Sequence, residues 1–278
     1  MKPVLNVLLT HQKSNAVATM VDWWAKCVPR DDIVLAYGGS RADFDTLDFA
    51  AKLFIDDPRL RTRDHQRERQ SYGAVFRAAA AWMQGRDYGH VHLAEYDHLP
   101  LIPDLNQRQL DLLTAERADA LGFHLRRVED TNCAHYLNHA AVPEFFPFWQ
   151  KITCRADPRV VLSMTPTGSF WTRAAFDAVA ATPEPHPVYV ELFLPTLAHH
   201  LGFRLRDYGP QTRFVRHIAD GLPTLDDARR DGAWIIHPVK DAWDEPALPA
   251  SAALDQESCQ CLWVGVRLRS AARDGAVP

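Results

Sequence analysis

Short apolar runs closed by polar or glycine-containing turns alternate, along the first hundred residues, with stretches whose apolar positions recur every three or four. Val4 to Leu9 (VLNVLL) reads as a buried strand that stops at Thr10–His11–Gln12. The spacing then predicts a helix over Ala16 to Lys26, with Asn15 as its N-cap. Ile33 to Tyr37 (IVLAY), closed by Gly38–Gly39, and Lys52 to Ile55 (KLFI), ending in Asp56–Asp57–Pro58, predict a second and a third strand. Arg67 to Met83 reads as a long helix, with Tyr72, Val75, Phe76, Ala79, Ala80 and Met83 at helical spacing. His90 opens the next strand. Such alternation predicts an α/β fold with a mostly parallel sheet flanked by helices.

The second half is less regular. Leu105 to Glu116 predicts a helix and Ala120 to Leu125 a strand. Val160 to Met164 predicts another strand, followed by a Thr165–Pro166–Thr167–Gly168 turn and a helix from Thr172 to Ala181. Val190 to Leu201 is helical in pattern, Phe203 to Leu205 extended, and Ala233 to Ile236 a late strand before His237. From Asp244 the composition turns to Pro, Ala, Ser and Asp, so residues 1–243 read as one domain and 244–278 as a partly loose C-terminal extension.

Composition narrows the function classes. The chain has 278 residues, 47% hydrophobic and 24% charged, as in a globular protein with a real core. A formal net charge of -4 argues against a general nucleic-acid binder, which would be basic. No apolar run approaches the ~20 residues that span a bilayer, and Met1 to Thr10 lacks a cleavage-site pattern. The cytosol is the compartment expected by default. The five cysteines, Cys27, Cys133, Cys154, Cys259 and Cys261, form neither a disulfide framework nor a zinc pattern and read as small hydrophobes.

The most informative stretch is His90 to Pro100, HVHLAEYDHLP. An apolar strand runs straight into Glu95 and Asp97, and ionised carboxylates do not sit in a core without partners. Loops at the carboxyl ends of strands are where an α/β sheet meets ligand. Two carboxylates one residue apart can share a hard divalent cation that also holds phosphate oxygens; a solvated acidic turn is the plainer alternative. The turn after the first strand, THQKSN, has no glycine, which excludes a Rossmann dinucleotide fingerprint; P-loop and GxSxG patterns are absent too.

Four segments in order resemble those of GT-A-type glycosyltransferases, which transfer sugar from a nucleotide-sugar donor. Glu95–Tyr96–Asp97 is similar to the DxD motif, with glutamate in the first place. Gly168–Ser169–Phe170–Trp171 is similar to the glycine loop near donor and acceptor. Glu191 in VYVELFLPTLAHHLGF resembles the acidic position of the xED region, although a leucine follows it. His237 in WIIHPVK is similar to the late histidine that ligates metal.

The resemblance implies a single GT-A-like (Rossmann-like) domain and a metal-dependent glycosyltransferase. Mn²⁺ or Mg²⁺ would sit at Asp97 and His237, with a UDP- or GDP-sugar as donor and a glycan or other hydroxyl compound as acceptor. Glu191 would be the general base, and Glu95 would ligate through water or contact the ribose. The resemblance also places Thr10, His11, Asn15, Gly39, Asp57, Arg63, Arg67, Gln70 and Gly168 around the donor, with Arg61 beside them. Trp171 could stack on a sugar or fill the core. Two other readings stand beside this one: a metal-dependent hydrolase built on His90 and His92, and a non-catalytic nucleotide-sugar-binding protein of the same shape.

Overall fold

The computed structural model of the chain describes residues 3–61, 71–128, 157, 160–182, 190–216, 221–240 and 243. Its centre is a seven-stranded sheet in the order β3-β2-β1-β4-β7-β6-β8. The first four strands in chain order are β1 (Val4–Thr10), β2 (Asp32–Tyr37), β3 (Lys52–Phe54) and β4 (His90–Glu95). β6 (Ala120–Arg127), β7 (Leu162–Thr172) and β8 (Leu205–Asp207) complete the sheet. β1 is parallel to β2 and β4, β2 to β3, and β6 to β8; β7 alone runs against its neighbours β4 and β6. The expected mostly parallel α/β architecture is what forms.

Two helical layers bury the two faces. On one side α3 (Tyr72–Trp82), α5 (Arg173–Ala180) and α6 (Val190–His200) pack on Leu5, Val7, Val34, Ala36, Val91 and Leu93. On the other, α1 (Ser14–Cys27) and α7 (Leu225–Arg230) cover Leu8, Leu35, Tyr37 and Ala94, largely through Trp23, Trp24 and Met20. α4 (Leu105–Ala115) lies over β6, while α2 (Arg41–Thr46) links β2 to β3. Alternate residues of β1 thus serve opposite cores, and all seven are buried, as a central strand covered on both faces requires. Cys27 is part of this packing; burial pushes its thiol up to about 12, so it behaves as the small hydrophobe expected.

Several expectations need correction. Asn15 does not cap α1: the helix starts one residue earlier, the cap position is Lys13 without a side-chain bond, and the Asn15 carbonyl accepts from Thr19 Oγ1 at 3.1 Å. Thr165 to Gly168 is not a turn but the middle of β7, which runs unbroken for 11 residues. The reason is a pair of bulges. Between the pairs Leu121↔Phe170 and Phe123↔Thr165, β7 spends more residues than β6, which accommodates Pro166 and lets Gly168 take φ +76°. β6 then spends an extra residue at His124, itself at φ +55°.

Two further elements escaped the hydrophobic pattern: α2 and α7 are each six residues and too short to show a helical period. Both are N-capped by side chains, Ser40 and Thr224. The expected extended stretch at Phe203 to Leu205 appears two residues later as β8. The late strand is only β9 (Ile235–Ile236), and it pairs antiparallel with β5 (Leu99–Pro100) rather than joining the main sheet. The predicted helix over 67–83 is observed from Tyr72; its first residues, the cysteines other than Cys27, and the extension after 243 lie outside the described residues.

The core on the α3 side is organised by Phe76. Its ring stacks on Phe176 at 4.4 Å and meets Trp171 edge-on at 5.6 Å, and all three are fully buried. Trp171 is therefore a core residue and does not face a sugar. Phe76→Ala is expected to cost about 3–5 kcal/mol of folding stability in denaturant unfolding; a loss under about 1 kcal/mol would contradict this packing.

Candidate functional site

Four parallel strands end in register on one edge of the sheet. Thr10 pairs with Tyr37, Tyr37 with Phe54, and Leu9 with Glu95. Everything that follows these strands, from Thr10–His11 to Gly38–Gly39, Asp57 and Glu95–Asp97, therefore emerges on the edge where α/β sheets bind ligand. After Glu95 the chain turns at once: Tyr96 N–H donates to the Leu9 carbonyl at 2.9 Å and His98 N–H to the Glu95 carbonyl at 3.0 Å.

The β5–β9 ladder then fixes the far end of the chain against this turn. Leu99 lies opposite Ile236, so the residues just outside the ladder, His98 and His237, fall opposite each other. Their rings stack with centroids 4.1 Å apart. Val239 N–H donates to the Asp97 carbonyl at 2.9 Å, and a parallel bridge to Val215 holds His237 from its other side. Trp243 covers the turn by donating its indole N–H to the Tyr96 carbonyl.

Three polar side chains converge here in a buried space. Asp97 Oδ1 lies 3.3 Å from His237 Nε2 and 3.8 Å from His98 Nδ1. One ligand atom from each of Asp97, His98 and His237 falls within 4.8 Å of the others. Among the described residues, that carboxylate oxygen, His98 Nε2 and His237 Nδ1 complete no hydrogen bond of normal geometry. Burial would raise the Asp97 pKa, but His237, His98 and Lys240 outweigh it and hold the carboxyl below the usual range. An ionised oxygen aimed at two imidazoles suits a divalent cation.

Glu95 ends β4, and His11 meets Tyr96 edge-on at 4.8 Å, so the structure brings Glu95, Tyr96, Asp97 and His11 to one place. Gly168 is there too, in a role the sequence did not suggest. A Cβ on it would lie 2.7 Å from the Phe123 ring and 3.1 Å from His98 Nε2, so the glycine makes room for His98. Its carbonyl accepts from the Tyr208 hydroxyl at 3.0 Å, and that hydroxyl accepts from Gln109 at 3.0 Å. Burial keeps the Tyr208 phenol protonated, its pKa well above the ordinary value.

Glu191 is buried in the first turn of α6. Thr196 exchanges hydrogen bonds with the Leu162 backbone, and His200 Nε2 meets the Val160 carbonyl at 2.9 Å. The helix therefore runs antiparallel to β7 and carries Glu191 towards the bulged part of that strand. Glu191 is not a member of the metal-capable group.

Several expected donor contacts have local structural work. The Thr10 hydroxyl accepts from Gln12 N–H at 3.1 Å. Gly39 gives space to Tyr37, whose ring would lie 2.7 Å from a Cβ there. Asp57 is gripped by Arg59, with the closest contact 2.7 Å; burial pushes its pKa up, but the hydrogen bonds and charge of Arg59 bring it down. Arg61 bonds the Ile55 carbonyl and Asp56. Asn15 is exposed on α1, and Arg63, Arg67 and Gln70 lie outside the described residues.

No protein-family model matches the chain, and no curated protein matches it. Solved structures do. Core-mannan synthase A from Aspergillus fumigatus, in its Mn/GDP form, is 8% identical, with 76% of this chain and 73% of that one covered and a TM-score of 0.43. The bifunctional IspDF from Campylobacter jejuni is 10% identical at a TM-score of 0.39, covering 74% of this chain and 49% of that one. Mouse xyloside xylosyltransferase 1 is 11% identical at a TM-score of 0.29, covering 74% and 77%. These likenesses are too distant to say what this chain binds or does. Its α/β sheet, with β7 alone reversed, stands on its own strand order.

His98 is the residue that sequence reasoning undervalued; a histidine directly after Asp97 was the available signal. The His90/His92 pair, by contrast, gains no support. His92 is fully buried against Gln109 at 3.3 Å, and desolvation pushes it down to about 3. His90 stacks on Phe170, and neither belongs to the metal-capable group among the described residues. No described helix is long and apolar enough to cross a membrane.

Tyr208 is the pin of the Gly168 bulge. Tyr208→Phe is expected to lower stability by about 1–3 kcal/mol, because the Gly168 carbonyl and Gln109 lose a buried partner. Thermal or denaturant unfolding measures this, and an unchanged midpoint would show that the bulge holds without it.

Proposed function

We propose that the protein is a metal-dependent glycosyltransferase that moves a sugar from a UDP- or GDP-sugar to a hydroxyl acceptor. What carries the reading is the meeting of Asp97 with His237, 140 positions later in the chain, at the edge where four parallel strands end in register. A divalent cation held there supplies Lewis-acid neutralisation of a nucleoside diphosphate leaving group.

The remaining roles belong to side chains of the protein. Asp97 and His237 hold the cation. Glu95, at the end of β4, orients the donor through its ribose or a metal-bound water. His11 and Tyr96 line the base and ribose side, with the loop after Gly38–Gly39 beside them. Arg63, Arg67 and Gln70 are assigned to the diphosphate or sugar, since a guanidinium fork matches phosphate oxygens. Glu191 accepts the acceptor's hydroxyl proton from the β7 side. A cytoplasmic location fits this use of soluble nucleotide-sugars.

Three experiments test the reading. In a panel of nucleotide-sugars with Mn²⁺, one donor is expected to raise the melting temperature and to be hydrolysed slowly without acceptor. Asp97→Ala is expected to abolish that metal-dependent hydrolysis while the protein stays folded by circular dichroism; undiminished hydrolysis would remove Asp97 from the site. Glu191→Gln is expected to lower transfer by about 10²–10⁴-fold with donor affinity nearly unchanged. Equal losses in transfer and donor affinity would remove its role as base.

A further inference from the structure

We infer that His98 is a metal ligand, and that Asp97, His98 and His237 form a three-residue site selecting a first-row transition-metal ion over Mg²⁺ and filling before any nucleotide arrives. This rests on the metal site proposed above and adds to it a ligand and a metal class.

The ladder geometry makes the assignment specific. His98 and His237 are cross-strand neighbours at the end of the β5–β9 pair, so both rings reach the same side of the turn. Their nitrogens approach the same oxygen, Asp97 Oδ1, at 3.8 and 3.3 Å. None of these approaches has hydrogen-bond alignment at that oxygen. Ligand atoms around one cation with bonds of ~2.0–2.2 Å stand about 3–3.5 Å apart; the Asp97–His237 approach already matches this, and the three atoms, here within 4.8 Å of one another, draw together at His98 when the ion binds. Among the described residues, the competing contact at Nδ1 is the Glu95 N–H at 3.4 Å, at the long limit of a hydrogen bond.

The surroundings of His98 fit a ligand better than a spacer. The ring is fully buried, with Nδ1 towards Asp97 and Nε2 towards Gly168 on the opposite side. The Thr167 backbone interacts with the ring from the β7 side. A ligating histidine commonly directs its second nitrogen to a backbone carbonyl, which fixes the tautomer. Gly168, at φ +76° and without a Cβ, keeps that side open.

Donor chemistry then sets the metal class. Two imidazoles and one carboxylate suit Mn²⁺, Co²⁺ or Zn²⁺, whereas Mg²⁺ prefers oxygen ligands and keeps its waters. Three protein ligands also suffice to hold the ion without help from a diphosphate.

The test uses the full chain, stripped with chelator and free of nucleotide. Calorimetric titration with Mn²⁺ and with Mg²⁺ is expected to show Mn²⁺ tighter by at least about tenfold. Electron spin-echo measurements on the Mn²⁺ form are expected to show coupling to two imidazole nitrogens. His98→Gln should leave one and weaken Mn²⁺ by more than the ~10–100-fold typical of outer-shell changes. A single nitrogen in the wild-type protein, equal affinity for Mg²⁺, or no Mn²⁺ uptake without nucleotide would overturn the inference, whether or not the variant folds. Two nitrogens in a protein that binds no nucleotide-sugar would sink the transferase reading and leave this one standing. Metal-dependent donor binding with one nitrogen would do the reverse.

Discussion

A two-residue antiparallel ladder, Leu99–Pro100 against Ile235–Ile236, is the constraint on which the candidate site depends. It is too short to be stable by itself, because so few hydrogen bonds cannot offset the entropy of closing a loop of well over a hundred residues. Its stability comes from burial. Leu99, Leu101, Ile235 and Ile236 sink into the same apolar layer as Trp23, Trp24 and α7, and Trp23 donates its indole N–H to the Pro100 carbonyl at 2.8 Å. The α1 side of the core thereby decides where His237 stands relative to Asp97 and His98.

The other half of the site is held by irregularity in the sheet. β7 is the reversed strand among the described strands of the main sheet, and its bulge beside β6 brings Gly168 against His98. A left-handed non-glycine residue, His124, sits in the facing strand and places Nε2 2.6 Å from the Val215 carbonyl. Val215 in turn bridges to His237. Residues in unusual backbone regions persist only where their surroundings over-determine them, and here those surroundings tie β6, β7 and the His237 segment together. From the core side, Gln109 donates to the buried Tyr208 hydroxyl, which in turn donates to the Gly168 carbonyl. The polar groups of the interior thus form a support behind the metal-capable cluster.

Much of this fold was legible because central strands and amphipathic helices announce themselves in apolar spacing. β1, β2, β3, β4, α1 and α4 fall where the pattern placed them, within a residue or two. The failures have local causes. A TPTG string normally signals a turn, but the pairing with β6 absorbs its proline and glycine in bulges. α2 and α7 are fixed by serine and threonine caps rather than by a stripe. The β5–β9 ladder is invisible because its partners are two residues each and far apart in the chain. That also explains the site: the acidic motif and the late histidine could be named separately, but His98 gains its meaning only when the ladder sets it opposite His237. The tryptophan beside Gly168 went the other way, since Trp171 alternates into the Phe76 core.

At the proposed site, Asp97 and His237 meet around a cation that grips a diphosphate. A crystal structure with Mn²⁺ and UDP or GDP, phased for manganese anomalous scattering, tests it most directly. One strong anomalous peak is expected within about 2.0–2.3 Å of an Asp97 oxygen and of His237 Nε2, with diphosphate oxygens on its open side. A peak elsewhere, or a nucleotide bound away from the edge where β1, β2, β3 and β4 end, would contradict it.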